Sequence, residues 1–507
     1  MQRVLPPLHS LPLFDVAATR RLEAQAESAV ATHALMQRAG LAVARLALAL
    51  APHARNIWVA AGPGNNGGDG FEAALHLHHW GKRVQVSYLA DPGSQPADAR
   101  ASMQRAQSAG VPIVSDAQAS FTPDFALDAL LGIGARRPPD LPIAEQVCRL
   151  NDLACPILAI DIPTGLNADT GALLGLQGVI AEHTLSLLTL KPGLFMNQGR
   201  GHVGTVWWDT LGVDPAPDGE PSAWLAGGTD LLKFTPGRGH AHHKGSFGDV
   251  GIVGGELGMA GAAWLAGRAA LAAGAGRVFV DALGGDAPSH DSLRPELMVR
   301  PGWARGAVSA LQSSLAVCGC GGGDSVREVL PALLSHVPRL VLDADALNAV
   351  ASDESLRRLL SGRSGRGHST VLTPHPLEAA RLLACTTAQV QAGRLAAAAQ
   401  LAAACQSVVV LKGSGTVVAA PGQTDSINAT GNATLASAGT GDVLAGWLGG
   451  LWSQMDGKAG PAAAFNAARL AVFQHGQAAD HSGGGPLRAS ELIEALYRLH
   501  ARGRAAA

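Results

Sequence analysis

Short apolar runs alternate with helical stretches along almost the whole chain, and this alternation limits the possible folds more than any other feature. In the first half, residues 17–50 carry apolar side chains at helical spacing. A buried strand is then predicted at 56–61, a glycine-rich loop at 62–70, and a helix at 71–80. A second strand follows this helix, and the resulting βαβ unit requires parallel strands. Further strand-like runs are FALDALL, PILAIDI, TLSLLTL and HVGTVWW.

The alternation starts again after residues 212–222, a segment rich in proline, glycine and acids that is typical of a linker. A chain of 507 residues is also too long for one ordinary hydrophobic core. We therefore predict the α/β class with two domains, a mostly parallel, doubly wound sheet domain over 1–222 and a second α/β domain over 223–507. The strand-like runs of the second half are DVGIVGG, RVFV, LAVCG, RLVLDAD, TVLTP and SVVVLKG.

Charge and composition exclude several classes of partner. A formal net charge of −2 leaves no basic surface for nucleic acid or for an anionic membrane. No stretch reaches the ~18 consecutive apolar residues of a membrane span. The first fourteen residues lack the basic start and long apolar run of a secretory signal. The six cysteines are sparse, as in proteins with reduced thiols, and we expect a cytoplasmic protein.

The glycine-rich segment after the first predicted strand is a candidate binding loop. Gly62 to Gly67 matches the spacing G-x-G-x-x-G of dinucleotide-binding loops. Asp69 argues against a conventional pyrophosphate site, because its carboxylate would stand where the phosphates lie. Asn65, Asn66 and Asp69 suit a ribose, a nicotinamide amide or a small cation.

Two further acids follow predicted strands of the same sheet. Asp128 and Asp161 both lie toward the ends of apolar runs, and the carboxyl ends of parallel strands meet at one edge. A single aspartate in such a position is more often a cap for a loop or helix. Three acid-bearing loops at one edge favour a binding site.

The motifs GPGNNGGDG, DALLGIG, DIPTGLNADTG and LKPGL together resemble the NAD(P)H-hydrate epimerase family, which has a Rossmann-like fold. The resemblance implies that Asn66, Asp128 and Thr164 hold a potassium ion, with Thr164 at a position where the family more often has serine. It also makes Asp161 the acid or base of the reaction. The implied contacts to the hydrated nucleotide are Asn65, Asn66, Gly67, Gly68, Asp69, Gly132, Ile133, Gly134, Ala135, Arg136, Arg137, Pro138 and Asp161.

The second half contains a different phosphate-binding pattern. Gly439, Thr440 and Gly441 precede a predicted helix, where small residues expose backbone N–H groups to phosphate oxygens. Asp442 follows them and can accept the proton of an attacking hydroxyl. No Walker A motif occurs in this half. The segment 412–416 (KGSGT) offers a second glycine-rich loop, and His375 could orient a substrate.

Seven segments of this half resemble the NAD(P)H-hydrate dehydratase family of the ribokinase-like superfamily: HHKGSFGDVGIVGG, GMAGAAWLAGRAALAAGAGRV, RPELMV, DADALN, LTPHPLE, LKGSGT and NATGNATLASAGTGDVLAG. The run from Cys320 to Gly323 departs from the family's usual proline-containing glycine loop. The resemblance implies magnesium on the anhydride oxygens. The implied substrate contacts are Ala262, a glycine of 319–323 that we assign to Gly321, His375 and Asp442, and the implied nucleotide contacts are Lys412, Gly413, Ser414, Gly415, Thr416 and Gly441.

Together the two resemblances imply a bifunctional enzyme of nicotinamide-nucleotide repair. One half would interconvert (R)- and (S)-NAD(P)H-hydrate, and the other would dehydrate the (S) form with ADP, releasing AMP and phosphate. Hydrated NADH and NADPH would be the substrates, and a homo-oligomer is expected. The alternatives are a ribokinase-like kinase of vitamin precursors fused to a non-catalytic nucleotide-binding domain, and a binding protein without catalysis.

Overall fold

The predicted apolar runs form the strands of two mostly parallel sheets, which confirms the α/β class. The computed structural model describes residues 1–88, 95–115, 121–214, 220–285, 288–455 and 460–505. The chain divides into two units. The first unit comprises Met1–Leu5 and Pro12–Ala223, and the second comprises Pro6–Leu11 and Trp224–Ala507.

The sheet of the first unit has eight strands in the order β1-β9-β8-β7-β6-β3-β4-β5, all parallel except β1 against β9. The strands up to residue 209 are β1 (Gln2–Arg3), β2 (Leu11–Leu13, in the other sheet), β3 (Asn56–Ala61), β4 (Arg83–Tyr88), β5 (Ile113–Val114), β6 (Phe125–Ala129), β7 (Ile157–Ile160), β8 (His183–Leu187) and β9 (Thr205–Asp209). The helices are α1 (Val16–Ala29), α2 (Ala34–Leu50), α3 (Asn65–His79), α4 (Ala97–Ser108), α5 (Leu141–Asn151) and α6 (Gly199–His202).

The strand order reverses between β3 and β6. From β3 the sheet continues to β4 and β5 on one side, and to β6, β7, β8 and β9 on the other. In doubly wound folds, ligands bind outside the carboxyl ends of the strands at such a reversal, because the loops on the two sides diverge. The segments after β3 and β6 therefore border the natural binding crevice of this unit.

The predicted loop at 62–70 is wrong in part, because α3 begins at Asn65 and includes the glycines that follow. A Cβ at Gly67 would lie 2.0 Å from the carbonyl oxygen of Gly62, and one at Gly70 would lie 2.5 Å from the Cβ of Ala129. The glycines thus allow the helix to pack directly against the ends of β3 and β6.

Residues 17–50, whose apolar side chains recur at helical spacing, lie mostly in two helices and not in one. Helix α1 ends at Ala29 and α2 begins at Ala34, with His33 in a left-handed conformation (φ 64°) between them. The segment 30–33 contains neither glycine nor proline, so the sequence carries no signal for the break.

The sheet of the second unit has the order β13-β12-β11-β14-β15-β16-β17-β18-β19-β10-β2. Strands from β13 to β17 pair in parallel, and β18 is antiparallel to both of its neighbours. The strands are β10 (Ala223–Leu225), β11 (Asp249–Gly254), β12 (Arg277–Ala282), β13 (Met298–Val299), β14 (Leu315–Cys318), β15 (Arg339–Leu342), β16 (Ser369–Leu372), β17 (Val408–Leu411), β18 (Thr416–Ala419) and β19 (Ser426–Asn428).

Helices cover this second sheet, and one of the longest, α16 (Thr440–Gln454), is buried along almost its whole length. Helix α16 packs against α8 and α17, and Trp447 and Trp452 are among the largest fully buried side chains.

In the described part of the chain, no helix combines the length and apolar content needed to cross a membrane. The helices are α7 (Gly228–Leu232), α8 (Ala260–Ala272), α9 (Val308–Gln312), α10 (Val326–His336), α11 (Ala344–Ser352), α12 (Glu354–Ser361), α13 (Pro376–Leu383), α14 (Thr387–Ala392), α15 (Arg394–Cys405), α16 (Thr440–Gln454), α17 (Pro461–His481) and α18 (Ala489–Ala505).

A short N-terminal segment, Pro6–Leu11, belongs to the second unit although the first unit follows it in sequence. The N–H of Gly228 donates to the carbonyl oxygen of Pro7 at 3.0 Å. The N–H of Ser10 donates to Oδ2 of Asp230 at 2.8 Å. The second unit is therefore assembled from two separate parts of the chain, which no pattern in the sequence indicated.

We predict that Gly67→Ala destabilises the first unit by about 1–3 kcal/mol, because the added methyl group must displace the backbone of Gly62. Calorimetric unfolding of the full chain would show one transition moved to lower temperature. Gly64→Ala is the matched control, since a Cβ there meets no atom within 4 Å. Equal unfolding profiles for the two variants would contradict the packing argument.

Candidate active sites

The first unit contains a cavity of about 740 Å³ beside the strand reversal. The start of α3, the segment after β6, and the residues that follow β7 and β8 line it. Ten of the sequence-predicted contacts lie on its wall: Asn65, Asn66, Asp69, Gly132, Ile133, Gly134, Ala135, Arg136, Arg137 and Pro138. Asp161 lines it as well, whereas Gly67 and Gly68 lie behind the lining.

Asp161 is fixed by a buried lysine. The ammonium group of Lys191 donates to Oδ1 of Asp161 and, at 2.7 Å, to the carbonyl oxygen of Leu187. The Leu187 N–H donates to the same Oδ1 at 3.2 Å. Asp161 itself adopts a left-handed backbone conformation (φ 67°), a strained state that is common at functional sites. The side chain is therefore presented to the cavity in a defined position.

Asp69 lies on the same wall in a different electrostatic setting. Among the described residues, no hydrogen bond or ion pair engages its carboxyl group, although the side chain is half-buried. Burial raises its pKa well above the usual range, and the nearby carboxylates of Asp161 and Glu23 raise it further. The cavity thus contains one carboxyl group with a cationic partner and another without one.

Asp128 and Thr164 lie below the cavity floor and contact each other. The backbone N–H of Thr164 donates to Oδ2 of Asp128 at 2.8 Å, and its hydroxyl donates to Oδ1 at 2.7 Å. Asp128 is fully buried with no ion pair to any described residue, and burial raises its pKa to about 6. Nδ2 of the buried Asn66 has no hydrogen-bond partner among the described atoms. A buried carboxylate without a counter-ion suits a bound cation, whereas the unpaired amide nitrogen of Asn66 can donate to a ligand in the cavity.

Arg136 and Arg137 are both exposed at the edge of the cavity. Guanidinium groups bind phosphates in pairs of hydrogen bonds, and exposed ones attract anions before contact. This edge can therefore receive the pyrophosphate of a dinucleotide, while the carboxyl groups lie deeper in the cavity.

In the second unit, the residues after β14, β15 and β17 meet the start of α16. Cys320, Asp343 and Asp442 each offer a ligand atom, and these atoms lie within 4.8 Å of one another. Nζ of Lys412 lies 2.7 Å from Oδ1 of Asp343. The carboxyl ends of neighbouring parallel strands thus assemble this site, as they do in the first unit.

Asp442 lies in the first turn of α16, just after the left-handed Gly439 (φ 87°) that caps the helix. Burial raises the pKa of Asp442 to about 6, with a further contribution from Asp343, while a hydrogen bond with Cys320 lowers it. The carboxylate is therefore basic enough to take a proton from a hydroxyl yet ionised at neutral pH. His475 donates to the carbonyl oxygen of Thr440 at 2.9 Å and supports this turn from below.

The remaining predicted residues of this unit lie around the same point. A Cβ at Gly321 would lie 2.8 Å from the Cβ of Ala262, so these two residues are neighbours. A Cβ at Gly441 would lie 3.5 Å from Nζ of Lys412. The loop that carries Gly413, Ser414, Gly415 and Thr416 begins at this lysine, and the buried Arg394 donates to the carbonyl oxygens of 411, 412 and 415.

His375 caps α13, because its Nδ1 accepts the backbone N–H of Leu377 at 3.1 Å and that of Glu378 at 3.3 Å. Burial and the nearby Lys412 ammonium lower its pKa. The ring is therefore neutral at physiological pH, with Nε2 3.2 Å from Oε1 of Glu378. This histidine shapes the site through its capping contacts.

Sequence reasoning missed two residues that organise these sites. Lys191 lies in the LKPGL motif and Asp343 in the DADALN motif, but neither was predicted to be a site residue. Their importance comes from pairing with residues 30 and 69 positions away. A lysine inside an otherwise apolar strand end is the signal that could have identified Lys191.

Comparison with known protein families gives two matches on this chain. Residues 32–193 match the family described as YjeF-related protein N-terminus. Residues 250–493 match the family described as NAD(P)H-hydrate dehydratase. The two matched regions contain the two sites described above.

Curated proteins similar to this chain align along nearly its whole length. The bifunctional NAD(P)H-hydrate repair enzyme Nnr of Escherichia coli (strain K12) is 36% identical over 484 residues, covering 92% of this chain and 89% of that protein. The bifunctional NAD(P)H-hydrate repair enzyme of Leishmania braziliensis is 36% identical over 521 residues, covering 93% and 90%. A solved structure of ADP/ATP-dependent NAD(P)H-hydrate dehydratase from Bacillus subtilis, co-crystallized with ATP/Mg2+, is 28% identical with a TM-score of 0.43, covering 54% of this chain and 96% of that one.

Proposed function

Since the chain belongs to the family of bifunctional NAD(P)H-hydrate repair enzymes, we propose that its first unit epimerises hydrated NAD(P)H and its second unit dehydrates it. The membership predicted from the motifs is thereby confirmed. The observation that carries the proposal is the presence of both family matches on one chain, each spanning a site built at the carboxyl ends of parallel strands.

For the first unit, we assign the substrate contacts to the cavity wall. Asn65, Asn66 and Asp69 face the nicotinamide end, and the segment 132–138 receives the phosphates through Arg136 and Arg137. Epimerisation at C6 requires a group that exchanges a proton with the hydroxyl oxygen or with water. Asp161, held by Lys191, is that group.

We assign a potassium ion to the oxygens of Asn66, Asp128 and Thr164. The support is the buried Asp128 carboxylate, which has no ion pair among the described residues. When bound, the ion would neutralise this carboxylate and order the start of α3 beside the substrate. Asp128 and Thr164 keep their mutual hydrogen bonds and act as a fixed floor.

We predict that potassium stabilises the first unit, by about 2.7 kcal/mol at a hundredfold excess over its Kd, because it binds the folded state alone. Calorimetric unfolding in potassium chloride and in choline chloride of equal concentration measures this. Asp128→Asn should remove the difference, and Asp152→Asn, an exposed residue of the same unit, should keep it. Identical unfolding of the unmodified chain in both salts would remove the cation from the site.

For the second unit, the proposed reaction couples dehydration to phosphoryl transfer from ADP. Asp442 takes the proton of the C6 hydroxyl as its oxygen attacks the terminal phosphorus, which forms AMP and a phosphorylated hydrate. Phosphate then leaves from C6, driven by the ring-nitrogen lone pair, and C5 loses a proton to restore NAD(P)H. Phosphate is a far better leaving group than hydroxide, which is the chemical reason for the coupling.

The nucleotide is assigned to Lys412, Gly413, Ser414, Gly415, Thr416 and Gly441, with the substrate on Ala262, Gly321, His375 and Asp442. Their clustering at the start of α16, where backbone N–H groups point outward, supports this assignment. Asp343 would hold magnesium, since Lys412 and Thr373 use its Oδ1 and no described hydrogen bond uses Oδ2. Magnesium would neutralise the anhydride oxygens.

We predict that the unmodified chain restores the absorbance of reduced nicotinamide when mixed with hydrated NADH, ADP and magnesium. Asp442→Asn should lower this rate by about 10²-fold or more, because the proton acceptor is lost. In the unmodified chain the rate should rise with pH to a plateau above about 6, where Asp442 is ionised.

The matched control is Asp324→Asn, an almost fully exposed aspartate of the same unit, which should keep both the rate and the pH profile. Epimerisation should be unchanged in Asp442→Asn. Accumulation of a phosphorylated hydrate without recovery of absorbance would favour a small-molecule kinase instead.

We also propose that the two activities divide at residues 222 and 223. Support comes from the separate sheets of the two units. Limited proteolysis should cut first within 215–228 and leave both activities in the cleaved protein. Early cuts confined to the interior of either unit would contradict this boundary.

The cellular compartment and the oligomeric state of the protein are proposals as well. The described cysteines are all unpaired, which supports a reducing compartment such as the cytoplasm. We also propose a homo-oligomer, which sedimentation velocity would measure.

A further inference from the structure

The cavity of the first unit contains more carboxyl groups than cations. Glu23 from α1, Asp69 from α3 and Asp161 after β7 line it together with the single buried lysine, Lys191. In a partly buried site each further ionised carboxylate is repelled by the others, so ionisation of all of them is disfavoured. Burial and this repulsion raise the pKa of Glu23 and raise that of Asp69 well above its usual range.

The structure distinguishes the carboxyl groups by their contacts. Lys191, 1% exposed, donates to Oδ1 of Asp161, to Oγ of Ser186 at 3.3 Å and to the carbonyl oxygen of Leu187 at 2.7 Å. All three ammonium protons are thereby used, and one of them fixes Oδ1 of Asp161. No described hydrogen bond uses Oδ2 of Asp161, so that oxygen can face a substrate.

Asp69 has no such partner. The charged groups that face it from the surrounding elements are Glu23, Glu72, Asp161 and Lys191. Nε of Arg105 donates to Glu72 at 2.9 Å and offsets that charge, while Lys191 is committed to Asp161. Burial and the two remaining acids favour the protonated form of Asp69, and its pKa lies well above the ordinary range.

We propose, on the premise that this unit is the epimerase, that Asp69 is a second catalytic residue that donates a proton to the departing C6 hydroxyl. Asp161 is the base for the return step, and Lys191 is the positioning residue that holds Asp161 through its Oδ1. Two carboxyl groups at one cavity thus perform opposite proton transfers because their surroundings differ.

The proposed steps balance in atoms and charge. The carboxylic acid of Asp69 protonates the hydroxyl oxygen, the C6–O bond breaks, and the lone pair of N1 forms a C6=N1 iminium ion with release of water. Water then adds to C6 while the carboxylate of Asp161 takes one of its protons, and the electron pair returns to N1. Exchange with solvent moves the proton back from Asp161 to Asp69.

The test uses the full chain and the (R) hydrate without nucleotide, so that no dehydration competes. The separated epimers are measured over time across a range of pH. The unmodified protein should give a bell-shaped kcat/KM profile, because the acid must be protonated and the base ionised. Asp69→Asn should lower kcat by about 10²-fold and lose the alkaline limb.

Two further variants identify the roles. Lys191→Met should change the pH profile of kcat/KM, since it removes the ammonium group that contacts Oδ1 of the base, whereas a purely structural lysine would leave the profile in place. Glu23→Gln, on the same cavity wall, should retain the alkaline limb. Dehydration of the (S) hydrate with ADP by each variant, together with its unfolding temperature, verifies that the chain is folded.

The outcomes separate this inference from the proposed function. An unmodified protein that does not interconvert the epimers overturns the epimerase assignment and this inference with it. An active unmodified protein overturns the inference alone if Asp69→Asn keeps its rate and alkaline limb, or if Glu23→Gln loses that limb instead. An unchanged profile in Lys191→Met overturns the positioning role of the lysine.

Discussion

Both sites depend on helices that approach the sheet or each other more closely than side chains would allow. In the first unit, Gly67 lets the start of α3 pack against the backbone of Gly62 at the end of β3. In the second, a Cβ at Gly446 of α16 would lie 2.0 Å from the carbonyl oxygen of Ala266 in α8. These contacts bring the N-terminal ends of α3 and α16 to the carboxyl edges of their sheets, where backbone N–H groups and acidic side chains meet.

The two sites share an electrostatic arrangement although their topologies differ. In each, a lysine pairs with one aspartate, Lys191 with Asp161 and Lys412 with Asp343. In each, a second aspartate at the start of the adjoining helix, Asp69 or Asp442, has a raised pKa. Burial is the main cause, and the nearby first aspartate raises the pKa further. One carboxyl group is thus held by an ammonium group, while the other makes no such ion pair among the described residues and has the raised pKa, a difference that suits proton exchange with a hydroxyl group.

The second unit also shows that sequence order and structural membership can differ. Residues Pro6–Leu11 precede the whole first unit, yet their backbone pairs with the segment around Gly228. Asp230 holds this segment through the N–H of Ser10. Such contacts join segments that lie more than 200 residues apart in the sequence and meet only after folding. Local sequence patterns therefore cannot predict them.

Local patterns in the sequence determined the α/β class, the main parallel strands and the motifs that carry Asp69, Asp161 and Asp442, because apolar periodicity and glycine placement are properties of neighbouring residues. Tertiary structure decided where the helices begin and end and which side chains those residues contact. The start of α3 within the predicted loop and the break at His33 follow from packing against other elements. The partners Lys191 and Asp343, which set the charge of each site, lie far along the chain from the aspartates concerned, and only the converging strand ends bring them into contact.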